Sequence, residues 1–155
     1  MIKKIDRFVG EHAFLSNFYP SSIWIDGRQY QTCEHAYQAS KTLVDSEHEV
    51  IRGAKTAGEA KKLGRSVNLR RDWESVKVDL MRKFVRLKFE NPLLRELLLA
   101  TGDAELIEGN HWNDTCWGVC RGTGQNWLGK ILQEVREGIT VETLTDSTVQ
   151  RAELE

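Results

Sequence analysis

The chain has 155 residues, a length that suits one domain with a substantial core, and it carries 22 Lys and Arg against 23 Asp and Glu. This balance excludes a strong overall field for nucleic-acid phosphates, so binding nucleic acid would require a local basic patch. No run of about 18 apolar residues is present, and we expect no membrane span. Three cysteines and no apolar amino-terminal run predict reduced thiols and a cytoplasmic protein.

The first predicted elements are short β-strands. β-Favouring residues occur over 5–9, 23–25 and 29–31. Asp26-Gly27 separates the second run from the third, and an Asp-Gly pair between apolar runs is typical of a β-hairpin. We therefore expect one hairpin with its turn at this pair.

Helices are then predicted by their capping residues. Thr32 predicts the cap of a helix over residues 33–43. Thr56, followed by a glutamate three residues later, matches a capping box and predicts a helix that ends near Gly64. Asp72 predicts the cap of the longest helix, whose apolar residues recur at helical spacing. This helix is expected to be the spine of the core.

The C-terminal part of the chain alternates helices with irregular segments. Asn91-Pro92 predicts the start of a Leu-rich helix that ends at Thr101-Gly102. A short strand is expected over residues 105–108, and the Gly-rich, Asn-rich segment 109–124 is expected to be a loop. A last amphipathic helix is predicted to end at Gly138.

These elements predict an α+β fold, mainly helical, with a small β-hairpin element. No internal repeat or linker divides the chain, so we assign one domain to residues 1–138. The polar segment 139–155 shows no packing period, and we expect it to be a weakly ordered tail.

One candidate site lies on the helix predicted after Thr32. Glu34, Gln38 and Lys41 are spaced i, i+4 and i+7, which places a carboxylate, an amide and an amine on one helical face. The alternative is that Glu34 only favours the helix dipole and that Lys41 is solvated. The spacing alone leaves both interpretations open.

A second candidate is the loop 113–118. Asp114 can bind hydroxyl groups and Trp117 can stack on a planar base. Alternatively, Asp114 forms an Asx-turn and Trp117 fills the core beneath the loop. The helix start near Asn126 could offer backbone amides to a phosphate, although no phosphate-binding fingerprint is present.

Metal and thiol chemistry are weak alternatives. His111, Cys116 and Cys120 suggest zinc, but their spacing matches no paired-cysteine framework and a fourth ligand is not evident. Cys33 with His35 is a poor nucleophile pair, because residues two apart on a helix point to different sides.

A series of motifs extends over residues 5–137. The motifs are Leu15-Ser16-Asn17-Phe18, Glu34-His35-Ala36-Tyr37-Gln38-Ala39 with Lys41, Ala60-Lys61-Lys62-Leu63-Gly64-Arg65, Trp73-Glu74-Ser75-Val76-Lys77, Met81-Arg82-Lys83, Lys88-Phe89, Leu97-Leu98-Leu99-Ala100-Thr101, Asn113-Asp114-Thr115-Cys116-Trp117-Gly118 and Asn126-Trp127-Leu128-Gly129. In this order they resemble the NADAR (NAD and ADP-ribose-associated) family. One departure is Cys120, which stands where a glycine is common in that family.

The resemblance implies an N-glycosidase that cleaves a ribose C1–N bond. It implies catalytic roles for Glu34, Lys41 and Asp114, with carboxylates as acid/base or charge-stabilising groups and the lysine as an orienting or covalent amine. The implied substrate contacts are Asn17, Phe18, Tyr37, Gln38, Arg65, Lys88, Trp117, Gly118 and Asn126. No metal or redox cofactor is implied, because side chains can fill every role.

Two substrate types fit this family: ADP-ribosylated bases, free or within nucleic acid, and phosphorylated intermediates of riboflavin biosynthesis. The amino-terminal stretch looks like the general form of the family, which favours a nucleotide-like substrate derived from NAD or ADP-ribose. The competing classes are a non-catalytic sensor of NAD-derived nucleotides and a zinc-stabilised interaction module. The oligomeric state is not determined by these patterns.

Overall fold

The computed structural model of the chain describes residues 2–152. The strands are β1 (Lys4–Ile5), β2 (Ile23–Ile25), β3 (Arg28–Tyr30), β4 (Glu105–Leu106), β5 (Gly109–Asn110) and β6 (Val119–Cys120). The helices are α1 (Cys33–Ala39), α2 (Asp45–Arg52), α3 (Ala57–Leu63), α4 (Trp73–Lys88), α5 (Pro92–Ala100) and α6 (Trp127–Ala152), with a 3-10 helix over Gly10–Leu15. Helices dominate and the strands form only short pairs, which confirms the predicted α+β class.

The chain divides into two compact units. One unit comprises Val9–Glu90, and the other comprises the residues before and after it. Among the described helices, none is long and apolar enough to cross a membrane.

Helix α1 is the centre of the Val9–Glu90 unit. It packs against α2, α3 and α4, and all seven of its residues are buried. The predicted cap is confirmed, since the Thr32 hydroxyl accepts a hydrogen bond from the backbone N–H of His35 at 3.1 Å. The imidazole of His35 bonds to the Thr32 hydroxyl and to the Ala54 carbonyl oxygen, so the buried polar groups at this end are satisfied.

Helix α1 is shorter than predicted, because it ends at Ala39 rather than Leu43. The hydroxyl of Ser40 donates to the Ala36 carbonyl oxygen at 2.6 Å, which competes for the last helical acceptors. Thr42 then pairs with Leu69 in an isolated β-bridge. This long-range pairing draws the chain out of the helix, so Lys41 lies in the turn between α1 and the bridge, where its N–H donates to the Gln38 carbonyl oxygen at 3.2 Å.

The predicted hairpin is confirmed. Strands β2 and β3 pair antiparallel with Ile23 opposite Tyr30. Asp26 and Gly27 have φ values of 51° and 77°, the left-handed conformation that a tight two-residue turn requires. The strand predicted over residues 5–9 is much shorter, because only Lys4–Ile5 is extended and paired before the 3-10 helix begins.

The cap predicted for α3 is confirmed, whereas the cap predicted for α4 is not. Thr56 accepts a hydrogen bond from the backbone N–H of Glu59, and α3 ends directly before Gly64, as predicted. The prediction for Asp72 was wrong, because its carboxylate caps no backbone N–H and instead accepts from the Arg70 guanidinium at 2.6 Å. A charged partner two residues away therefore outcompetes the helix end for this carboxylate.

In the second unit, Asn91 caps α5 as predicted, with Oδ1 accepting from the N–H groups of Leu93 and Leu94 at 3.0 and 3.2 Å. The segment 109–124, predicted to be a loop, contains β5 and β6, which pair in parallel. Strand β4 pairs in parallel with β1 and covers only part of the predicted strand over 105–108.

The predicted end of the last helix at Gly138 was wrong. Helix α6 continues to Ala152 and, with 26 residues, is longer than the 16-residue α4, which was expected to be the longest. Ile139 is still buried, so the apolar face passes through Gly138. Hydroxyls beyond it bond within the helix, as Thr140 does to the Arg136 carbonyl oxygen at 3.0 Å. Residues 153–155 of the predicted tail lie outside the described residues.

Candidate active site

A buried carboxylate–amide pair lies on α1. The side-chain N–H of Gln38 donates to Oε1 of Glu34 at 2.7 Å. Glu34 is only 6% exposed and Gln38 only 3%. A glutamate that served only the helix dipole could remain in water, whereas burying this carboxylate costs free energy unless it is hydrogen-bonded. The burial therefore favours a chemical role for Glu34 over the helix-dipole alternative.

Lys41 lies close to this pair, although it is outside the helix. Its Nζ is 5.5 Å from the centroid of the Tyr37 ring, and Tyr37 is itself buried. Burial lowers the pKa of Lys41, while the negative charge of Glu34 opposes this shift. A larger share of the amine is therefore neutral near pH 7 than for a solvated lysine, which is what a nucleophilic amine needs.

Further cations act on the same amine. The positive charges of Lys61, Arg65 and Lys77 also lower the pKa of Lys41. Their effects are smaller than that of burial and smaller than the opposing effect of Glu34. Arg65 is exposed, as an anion-binding side chain would be. Several positive charges around one partly buried amine provide a local basic patch on a chain that has a net charge of −1.

The segment 16–18 borders the start of α1. The main-chain oxygen of Asn17 accepts a hydrogen bond from the N–H of Glu34 at 3.1 Å. The Asn17 amide nitrogen contacts Sδ of Met81 at 3.3 Å, while its Oδ1 has no hydrogen-bond partner within residues 2–152. Phe18 is 44% exposed, with Nζ of Lys61 5.8 Å from its ring centroid. The backbone of Asn17 thus helps to position Glu34.

Lys88 is hydrogen-bonded to the same segment. Its Nζ donates to the Ser16 carbonyl oxygen at 2.8 Å and lies 5.7 Å from the ring centroid of Tyr19 and 5.3 Å from that of Phe89. The side chain is 2% exposed, and burial lowers its pKa to about 8. The structure therefore gives Lys88 a contact with the protein, where the sequence predicted a contact with substrate.

Asp114, in the other unit, forms the Asx-turn that was considered as its structural alternative. Its Oδ1 accepts from the N–H groups of Cys116 and Trp117 at 3.1 and 2.9 Å. The side chain of Asn110 bonds to the backbone N–H and carbonyl oxygen of Asp114. These bonds fix the loop and hold the half-buried Trp117 in one backbone conformation.

Asn126 and Gly118 have structural roles that the sequence did not indicate. The Asn126 amide accepts from the Glu108 N–H at 3.0 Å and donates to the Leu106 carbonyl oxygen at 2.9 Å. A Cβ on Gly118 would overlap the carbonyl oxygen of Glu108, so only glycine fits this close approach. Both residues shape the backbone around the loop, and their predicted substrate contacts remain predictions.

The metal and thiol alternatives find no support in the described part of the chain. Among residues 2–152, no three His, Cys, Asp or Glu side chains are grouped as a metal ion would require, so His111, Cys116 and Cys120 do not form the zinc site considered above. Burial raises the pKa of Cys33 to about 11, and its thiol donates to the Phe84 carbonyl oxygen. A thiolate nucleophile at Cys33 is therefore disfavoured.

Three further residues near the candidate site could not be assigned to it from the sequence. Lys61 and Lys77 act on Lys41 through their charge, and Gly64 lies against the Gln38 side chain. The only available signal was their place in motifs next to known candidates. The glycine after α3 predicts a helix end at Gly64 and gives no indication of what packs against it.

Comparisons with known proteins agree with this arrangement of motifs. A family model described as the NADAR domain matches residues 7–140. The chain is 43% identical to N-glycosidase YbiA of Escherichia coli over 136 residues, which cover 85% of this chain and 84% of that protein. It is 44% identical to a riboflavin biosynthesis protein of Vibrio vulnificus over 130 residues, which cover 81% of this chain and 35% of that protein.

The fold also has a solved counterpart. The NMR structure of YbiA from Escherichia coli superposes with a TM-score of 0.82 at 41% identity, covering 93% of this chain and 89% of that one. An N-glycosidase of Nostoc punctiforme is 43% identical over 131 residues. The family match and these similarities show that the chain is an enzyme of the N-glycosidase class and that it belongs to the NADAR family.

Proposed function

We propose that this N-glycosidase hydrolyses the ribose C1–N bond of a phosphorylated N-riboside, with Glu34 as the principal acid or base. The observation that carries the proposal is the buried Glu34 carboxylate, bonded to Gln38 at 2.7 Å and close enough to Lys41 to affect its pKa. Cleavage develops positive charge on the sugar and negative charge on the leaving base. A carboxylate can stabilise the first charge or, when protonated, donate a proton to the second.

Lys41 has two possible tasks in this reaction. As a cation it orients the substrate, and as a neutral amine it can attack C1 of the ring-opened riboside, where C1 is the imine carbon bonded to the base. A bond from Nζ to C1 forms, the bond from C1 to the base nitrogen breaks, and the base leaves as its protonated amine. Water then hydrolyses the Schiff base on Lys41 and releases the free ribose phosphate. The lowered pKa of Lys41 supports the second task, because only the neutral amine is nucleophilic.

The cations around Lys41 support a phosphorylated substrate. Lys61 and Arg65 add positive charge near Lys41 that would attract a phosphate group of the substrate, while Lys77 is paired with Glu74 at 2.6 Å. Two relatives bear riboflavin biosynthesis names, the Vibrio vulnificus protein and a chloroplastic protein of Zea mays that is 36% identical. A phosphorylated riboflavin-biosynthesis intermediate is therefore the first candidate, ahead of the ADP-ribose conjugate that the amino-terminal stretch favoured.

An ADP-ribosylated base is the second candidate, because an aromatic ring is available for a second base. Phe18 is 44% exposed beside Lys61, so it could stack on adenine while the lysine binds pyrophosphate. The shorter substrate would need no such surface.

Turnover measured by mass spectrometry on both substrate types tests the proposal. Glu34→Gln keeps the size of the side chain but removes its charge, and we expect turnover to fall at least about a hundredfold. Glu90→Gln, an exposed glutamate in the same unit, is the matched control and should retain activity. Near wild-type turnover by Glu34→Gln would return Glu34 to the helix-dipole interpretation.

Thermal protection by products separates the two substrates. A bound ligand stabilises the protein by RT ln(1 + [L]/Kd), so ADP-ribose should protect more than ribose 5-phosphate only if adenine and pyrophosphate are bound. Equal, weak protection by both, together with turnover of a pyrimidine riboside phosphate, would eliminate the ADP-ribose candidate. Strong protection by ADP-ribose alone would eliminate the riboflavin candidate.

A further inference from the structure

Gly64, at the end of α3, has no conformational need to be glycine. Its φ and ψ are −63° and −14°, a right-handed helical conformation that any L-residue adopts. An alanine at this position would normally stabilise the folded state, since it reduces the conformational freedom of the unfolded chain. The reason for glycine must therefore lie in the space above its Cα atom.

That space is filled by the side chain of Gln38. A Cβ atom added to Gly64 would overlap Oε1 of Gln38 and would lie 2.8 Å from its Cδ and 3.2 Å from its Cβ. The Gln38 side chain has little room to move, because it is 3% exposed and its nitrogen is bonded to Glu34. Any larger residue at position 64 must push the amide away from its present place.

The orientation of the Gln38 amide is fixed from two sides. On one side its nitrogen donates to the Glu34 carboxylate at 2.7 Å. On the other side its oxygen lies against Gly64 and has no hydrogen-bond partner within residues 2–152. The reverse orientation would place the amide oxygen against the carboxylate, where two acceptors repel each other. The carboxylate thus determines which end of the amide faces Glu34, and the space beside Gly64 determines where the amide can lie while it makes this bond.

We infer that Gly64 is a positioning residue for catalysis: by leaving space for the Gln38 amide, it holds the Glu34 carboxylate in the geometry that cleavage requires. This inference rests on the proposed function, which assigns the chemistry to Glu34. Gly64 directly follows α3 and Glu34 lies on α1, so the packing of the two helices becomes part of the active-site geometry.

The test is Gly64→Ala, with Gly58→Ala as the matched control in α3, the helix that ends directly before Gly64. A Cβ on Gly58 would meet only the Thr56 hydroxyl at an ordinary distance of 3.9 Å. We expect Gly64→Ala to lower kcat by about tenfold to a hundredfold, since a small displacement of a reacting group has effects of this size, and to change KM less than threefold. Gly58→Ala should leave both constants unchanged. Wild-type kcat in Gly64→Ala would overturn the inference.

A second variant separates positioning from a general loss of packing. Gln38→Ala should lower kcat to a similar extent, and Gly64→Ala added to it should cause no further loss, because the group that the methyl displaces is gone. The two Cβ atoms would then be 3.2 Å apart, which a shift of a few tenths of an ångström relieves. If the double variant loses kcat by the product of the two single losses, the inference is overturned. This comparison also decides the case in which Gly64→Ala alone folds poorly.

The inference and the proposed function fail in different ways. An inactive Glu34→Gln beside a fully active Gly64→Ala would refute the role of Gly64 and leave Glu34 in place. An active Glu34→Gln would refute the proposed function itself.

Discussion

The lowered pKa of the buried Lys88 amine predicts how the stability of the protein depends on pH. Its pKa is lowered from 10.5 to about 8 by burial, a difference that corresponds to about 3 kcal/mol at 1.36 kcal/mol per pH unit. Below pH 8 the amine is charged in both the folded and the unfolded protein, so folding bears the full cost of burying the charge. Above pH 10.5 the amine is neutral in both states and this cost is absent.

The replacement Lys88→Met keeps the length of the side chain and removes both the charge and the hydrogen bond to Ser16. At pH 7 we expect the free energy of unfolding to rise by about 1 to 2 kcal/mol, because the avoided cost of about 3 kcal/mol exceeds that of the lost hydrogen bond. Near pH 10.5 only the lost bond remains, so the variant should be less stable than the wild type.

Urea unfolding at intervals between pH 7 and 10.5 measures this change of sign. The exposed Lys83, on the same helix, provides a control, and the difference between Lys83→Met and the wild type should stay constant with pH. A difference between Lys88→Met and the wild type that is also constant would show that the pKa of Lys88 is the same in the folded and the unfolded protein, which would refute the predicted change of sign. Turnover should fall in Lys88→Met, since Ser16 and Asn17 lose their support.

Three further outcomes are expected. Borohydride added during turnover should trap an adduct on Lys41, detected by peptide mass spectrometry. The absence of an adduct on any lysine would reject the covalent route, and an adduct on a different lysine would assign the route to that amine. Asn91→Ala should lower the free energy of unfolding by about 1 kcal/mol through loss of a helix cap, and Asp72→Ala should lower it less. Chemical denaturation measures both changes, and a larger loss in Asp72→Ala would contradict this order. Asn126→Ala should cost about 2 kcal/mol in the same assay, because two backbone groups lose their partner, and an unchanged midpoint would contradict this.

The elements that could be predicted from the sequence depend on neighbours in the chain. The caps at Thr32, Thr56 and Asn91 and the Asp26-Gly27 turn were all confirmed, since each needs only a side chain and a backbone group a few residues away. The pairing of Glu34 with Gln38 belongs to the same class, because the i, i+4 spacing on a helix determines it.

The elements that could not be predicted depend on partners that are distant in the chain. The end of α1 at Ala39 follows from the bridge between Thr42 and Leu69, and the burial of Lys88 follows from its contact with Ser16. Gly64 matters through the Gln38 side chain, 26 positions earlier in the chain. Periodicity and capping rules contain no information on such contacts, so the sequence indicated the pair of Glu34 and Gln38 but not the distant residues that pack against it.

The catalytic role predicted for the Asp114 charge can be tested separately from its structural role in the turn by comparing two replacements. Its Oδ1 accepts two backbone hydrogen bonds, and the side-chain oxygen of asparagine can accept the same two. Asp114→Asn should therefore preserve the turn and the thermal midpoint, whereas Asp114→Ala should lower the midpoint. If the negative charge helps to stabilise the sugar cation, Asp114→Asn should still lower turnover at least about tenfold. If Asp114→Asn keeps full turnover while Asp114→Ala is destabilised, Asp114 serves only to hold the loop. Glu34 would then be the carboxylate proposed to act on substrate.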